Sequence, residues 1–277
     1  MHKHIKIDVK VFDVFIQKFA EKYLEQRSQT QIDYSTINEK VLFDNLGFGT
    51  DVLRKIITKN AIHIDKKREQ GITPEILNDI YRSDLGELLM TYYFEEKLDE
   101  VERFVIPLKN ISFRERADQP GRGLDAIGYK YSDGKVEILL GEAKVSADKK
   151  SPPSVVDSAN DSLYKTQLRH KNDIPTVISR LSDYYRRMDC TEDATIIGLA
   201  IVCIDKNLTD KYSVTYGCTL IRDYTCVNEA SDFGKLKSNE RDFEPGKVHF
   251  SILSFSNKSI EETVDLFYQK VQELIAE

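Results

Sequence analysis

The chain has 277 residues, with 40 Lys plus Arg against 46 Asp plus Glu and a formal net charge of −6. Its 40% hydrophobic and 31% charged content is an ordinary globular balance, which excludes collagen-like, coiled-coil and disordered classes. The length suffices for one large domain, or a domain with an appendage, and the acidic sum excludes a protein that grips nucleic acid by bulk positive charge.

The opening MHKHIKIDVK has neither an apolar run nor a small-residue cleavage site, so no signal peptide is expected. His4 to Val9 reads as extended. Phe12, Phe15, Phe19 and Tyr23 then recur at helical spacing on one stripe. Residues 1–70 are therefore expected to form a mostly helical N-terminal region that packs on the rest of the chain or on a partner. Gly47 and Gly49 form a turn and complete no phosphate-binding fingerprint. Thr73 followed by Pro74 has the order of an N-cap and a first helical proline, so a helix is expected from there to about Lys97. Strands are expected at Arg103 to Leu108, Leu124 to Tyr131 and Lys135 to Val145, then helices at about Ser154 to His170 and Pro175 to Arg187. Apolar strands are expected again at Ala194 to Ile204, Val214 to Ile221 and Val248 to Phe255. A closing helix opens on Ser259 and Glu262, the spacing of a capping box, and carries an apolar stripe of Ile260, Val264, Phe267, Val271 and Leu274. This order predicts an α/β fold over residues 71–277, with a mixed central β-sheet and flanking helices.

The longest apolar run, Ala194 to Ile204, is far short of the roughly 20 residues of a membrane span. Cys190, Cys203, Cys218 and Cys226 contain no C-x-x-C pair, and reduced thiols in a cytoplasmic protein, with no disulfide-linked partner, are expected. The five histidines are dispersed and give a zinc site little support.

The segment GRGLDAIGYKYSDGKVEILLGEAKVS carries the strongest signal. Asp133-Gly134 lies between two apolar runs, the favoured two-residue hairpin turn. With those residues as the loop, Ser132 faces Lys135 and Asp125 faces Glu142. Opposed residues project to one face, and Lys144 shares that face with Glu142 because side chains two apart on a strand point the same way. A single turn assignment thus gathers Asp125, Glu142 and Lys144. The Lys135 to Val145 run is apolar on both faces, so this is a central strand whose inward row becomes charged at one end. Two close carboxylates repel when ionised, and a hard divalent cation, Mg²⁺ or Mn²⁺, relieves the repulsion. On the preceding helix Ile76, Ile80, Glu87 and Phe94 share a stripe. Glu87 interrupts that stripe where an acid could point at the sheet, or where the stripe could bend out to solvent.

A helix Glu, then Gly123-Leu124-Asp125, then Glu142-Ala143-Lys144 at the end of the next apolar strand resembles the PD-(D/E)XK nuclease superfamily, whose core is restriction-endonuclease-like. The ensemble RSDLGELLM, GRGLDAIGY, LLGEAKVS and YKTQLRHK, over residues 82–171, is more specifically similar to the HamA family, effectors of Hachiman anti-phage defence. No proline immediately precedes Asp125, and the first 70 residues carry no matching motif. The resemblance implies a metal-dependent nuclease. Asp125 and Glu142 would hold the cation with the Ala143 carbonyl and Glu87. Lys144 would orient or help deprotonate the attacking water, and Gln167 and Lys165 would position substrate. It further implies DNA as substrate, phosphodiester hydrolysis leaving a 5′-phosphate, and a HamB-like helicase as regulating partner. Alternatives are an RNA-directed nuclease on the same scaffold, or a catalytically silent nucleic-acid-binding or adaptor subunit.

Charge is unevenly placed. Residues 144–187 hold nine basic and five acidic side chains, a local +4 that leaves −10 for the remainder. Lys149, Lys150, Lys165 and Arg169, with Arg114, Arg116 and Arg122 in the loop before Asp125, could contact backbone phosphates, the alternative for each being a solvated surface charge.

Overall fold

The computed structural model describes residues 1–8, 12–28, 34–61, 75–114, 123–188 and 191–276. A six-stranded sheet runs through it in the order β1-β6-β5-β4-β3-β2. The strands are β1 (His2–Ile7), β2 (Val105–Lys109), β3 (Ala126–Ser132), β4 (Lys135–Ser146), β5 (Tyr212–Arg222) and β6 (Lys247–Phe255). β1, β6, β5 and β4 are parallel neighbours, whereas β3 and β2 add on antiparallel. Helices cover both faces. α1 (Phe12–Ser28), α4 (Glu75–Tyr92) and α8 (Ile260–Ala276) lie on one, and α5 (Leu163–Asn172), α6 (Ile174–Tyr185) and α7 (Glu192–Asp205) on the other. Two further helices, α2 (Glu39–Leu46) and α3 (Thr50–Ala61), follow α1. This is the mixed α/β architecture expected from the sequence.

β4 is central and apolar on both sides. Val136, Ile138 and Leu140 pack into the core under α5 to α7, while Leu139 and Ala143 join the core under α4 and α8. A strand covered on both faces reads as a continuous hydrophobic run, as this one does.

The N-terminal segment is built into this body. β1 is the edge strand beside β6, with His2 opposite Phe250. On α1, Phe19 and Tyr23 are fully buried, and the Tyr23 ring meets Phe267 of α8 at 5.5 Å. The stripe of α1 thus packs on the rest of the chain. Of the predicted extended piece, Val9 lies outside the described residues, as do Thr73 and Pro74 ahead of α4.

Two expected elements differ in the structure. Ala194 to Ile204 is not a strand but the body of α7. Thr191 caps this helix by accepting from the Ala194 N–H at 3.4 Å, and Glu192 and Asp193 occupy its first turn. Ile197, Ala200 and Cys203 are buried while Val202 is 53% exposed, so one face alone meets the sheet. An apolar run of that length has no periodicity to separate helix from strand, and the capping residues decide it. The expected long helix from Ser154 is also two pieces, a turn at Ser154–Asp157 and α5.

Candidate active site

The site forms because β4 outruns β3. The turn residues Asp133 and Gly134 both have positive φ, 51° and 73°, the geometry of a type I′ hairpin. Every pair from Ser132–Lys135 to Ala126–Gly141 keeps the register that this turn dictates. β3 begins at Ala126, so the next position, Asp125 opposite Glu142, lies just past the ladder. There the Asp125 side chain replaces the strand by accepting the Ala143 N–H at 2.7 Å. The hairpin expected from the sequence is therefore present, and it brings Asp125 and Glu142 together.

Glu142 is 6% exposed and one of its carboxylate oxygens has no hydrogen-bond partner. Burial, with Asp125 beside it, pushes its pKa well above the ordinary carboxylate range despite the nearby Lys144. Asp125 is raised to about 6 by burial, which outweighs the Ala143 N–H and the Lys144 and Arg114 charges that favour its ionised form. Lys144 lies 3.7 Å from Glu142 and 3.2 Å from Asp161. Burial pulls its ammonium down, but Glu142 and Asp161 outweigh that, and its pKa ends up raised. The side chain is a held cation.

Glu87 arrives from the other face, on α4. It is 3% exposed with one oxygen unpartnered, and burial plus the Asp125 charge push its pKa well up. Arg114 stands 3.8 Å away and is shared with Asp84, which also accepts from Tyr268 at 2.7 Å and Tyr23 at 3.2 Å. Arg114 is therefore buried among acids, not displayed to phosphates as its place in the pre-Asp125 loop suggested.

Crowded, raised carboxylates with orphaned oxygens suit a hard divalent cation, and the donor set of Asp125, Glu142 and the Ala143 carbonyl is all oxygen. Among the described residues no three His, Cys, Asp or Glu side chains stand close enough to cage an ion unaided. Water or substrate oxygens would complete the shell.

A model of the HamA family matches residues 4–271, from within β1 to within α8. The chain belongs to the HamA family. No curated protein and no solved structure matches it. Family membership makes this a defence-system protein.

Gln167, expected to position substrate, has its amide engaged inside the fold. It is fully buried on α5, and its amide donates to Leu140 O at 2.9 Å and Gly217 O at 3.0 Å, so it clamps β4 to β5 beneath the site. Lys165 and Arg169 are exposed on α5, and Lys149 and Lys150 are exposed on the loop after β4. That loop is shaped from below by the buried Arg222, which pairs with Asp232 at 3.2 Å and donates to Lys150 O at 2.8 Å. Arg116 and Arg122 lie outside the described residues. Among the described residues no helix is long and apolar enough to cross a membrane.

Asp84, Asp161 and Arg180 contribute charge to this candidate site without having been singled out from the sequence. Asp84 had a usable signal, since Ile80, Asp84 and Glu87 share one α4 face at spacings of four and three. Asp161 sits in the loop before α5, and Arg180 sits on α6. Only the fold brings them to β4.

Proposed function

We propose that this protein is a metal-dependent nuclease with a PD-(D/E)XK-type, restriction-endonuclease-like core, cutting DNA phosphodiester bonds as a defence effector under a HamB-like helicase. The observation that carries the reading is the pairing of Asp125 with Glu142 past the end of β3, each with a raised pKa, beside a charged Lys144. The Glu142 oxygen that finds no partner within the chain is available to a ligand from outside it.

Asp125, Glu142 and the Ala143 carbonyl would hold Mg²⁺ or Mn²⁺, with Glu87 close behind. When bound, such an ion lowers the pKa of water and neutralises charge building on a scissile phosphate. Lys144, kept protonated by its two acidic neighbours, orients the attacking water or a phosphate oxygen by hydrogen bond and charge, a role that fits better than accepting a proton. Arg114 sets the position of Glu87. Gln167 ties β4, which carries Glu142 and Ala143, to its neighbour β5.

The test is plasmid cleavage with Mg²⁺, with EDTA, and with Asp125→Ala and Lys144→Ala, run with and without the helicase partner and in parallel on RNA. Metal-dependent DNA cleavage lost in both folded variants is expected. Cleavage that persists in both removes this site, RNA-only cleavage replaces the substrate, and no Mg²⁺ effect on either nucleic acid with the partner present leaves an adaptor subunit.

A further inference from the structure

We infer that Arg180 of α6 is a phosphate-binding residue of this site, taking a backbone phosphate next to the one that is cut. The inference rests on the nuclease reading for its ligand, but it is drawn from the packing of α6.

Val177, Arg180, Leu181 and Tyr184 form one stripe of α6 at spacings of three, one and three. The three uncharged members are buried, and the Tyr184 hydroxyl donates to Leu124 O at 3.0 Å, which ties the helix to the segment that leads to Asp125. Arg180 is the only charged side chain on this inward stripe. It is half-buried, and its guanidinium lies over Gly123, where an added Cβ would meet Nε at 3.9 Å. Gly123 has φ +107°, a conformation that favours glycine, and the guanidinium packs at ordinary van der Waals distance from this position.

Among the described residues Arg180 has no carboxylate within ion-pair distance, whereas Lys144 and Arg114 are each held by acids. Its charge is nonetheless felt at Glu142, whose carboxylate it helps to ionise. An arginine on an otherwise buried helix stripe, in no ion pair among the described residues and with its charge reaching Glu142 and Asp173, offers the planar donor fork that phosphate oxygens accept.

The experiment is equilibrium binding of the full chain to labelled duplex DNA, single-stranded DNA and RNA oligonucleotides of unrelated sequence. It is run in EDTA so that nothing is cut, across roughly 50 to 200 mM salt. Arg180→Ala and Arg180→Gln are expected to weaken binding to every sequence alike. The slope of log K against log salt should fall by about 0.9 on duplex or about 0.7 on a single strand, one phosphate contact in each case. Arg180→Lys should retain the slope. A merely structural arginine would change the melting temperature and leave the slope alone. An unchanged slope in both folded variants overturns the proposal, as does a wild-type chain that binds none of the three nucleic acids. If the slope falls as expected but Mg²⁺ and the partner yield no cleavage, Arg180 stands and the nuclease reading fails. If cleavage occurs with the slope unchanged, Arg180 alone fails.

Discussion

Glu142 carries an oxygen that nothing in the folded chain satisfies, and it sits beside a second acid whose pKa is raised to about 6. Such groups oppose folding when no cation is present. A carboxylate whose folded pKa lies above its unfolded value stabilises the fold below the unfolded pKa, and that contribution is lost as pH rises through the folded one. For Asp125 the window runs from 3.8 to about 6. Asp125→Asn, which keeps an oxygen for the Ala143 N–H, should therefore match wild type near pH 4. In EDTA it should melt higher above pH 6, and added Mg²⁺ should close the gap. Glu142→Gln should behave alike at pH 7.5. An effect of roughly 1 kcal/mol raises Tm by about 2–4 °C in a chain of this size class, within reach of a scanning thermal melt. Asp161 adds a further negative charge at Lys144. Asp161→Asn should accordingly lower the carbon-detected NMR pKa values of Asp125 and Glu142, since its charge raises both.

The hairpin is the element on which this arrangement depends. A one-residue change of register would turn Glu142 and Lys144 to the opposite face of the sheet, so the turn controls which chemistry is possible. Gly134 has φ 73° and open space where a side chain would go, so Gly134→Ala tests backbone strain alone. It should cost about 1 kcal/mol by urea denaturation without altering the register. Asp133-Gly134 is also why so much of the site was legible beforehand, since a two-residue turn fixes every pair above it. The α7 segment shows the opposite case. Its apolar run from Ala194 to Ile204 reads as a strand because nearly every position is hydrophobic, and the deciding Thr191, Glu192 and Asp193 lie just outside it. Gln167 was legible as a polar residue but not as a brace, because its two carbonyl partners, Leu140 and Gly217, lie on separate strands. Arg180 and Asp161 reach the site only through tertiary packing, which no local pattern encodes.

At the scale of the whole molecule, the site is held from both ends of the chain. Asp84 gathers Tyr23 of α1, Tyr268 of α8 and Arg114, and Arg114 reaches Glu87. Tyr268→Phe removes one hydroxyl from this buried cluster and should cost roughly 1–2 kcal/mol of stability, measured by chemical denaturation. The acidic whole-chain charge belongs to the same scale. The −6 total is the sum of +4 over residues 144–187 and −10 over the remainder. It therefore says little about the surface near Glu142.

The pairing of β1 with β6 bears on how such a chain is made. During synthesis the Asp125–Glu142 hairpin closes locally, within a few tens of residues, while His2 must wait for Phe250 to leave the ribosome before its strand has a neighbour. Tyr268, which helps seat the residues behind Glu87, emerges later still. A nascent or prematurely terminated chain thus carries the acids without the frame that sets them. The frame around the acids is thus complete only once β6 and α8 have been made.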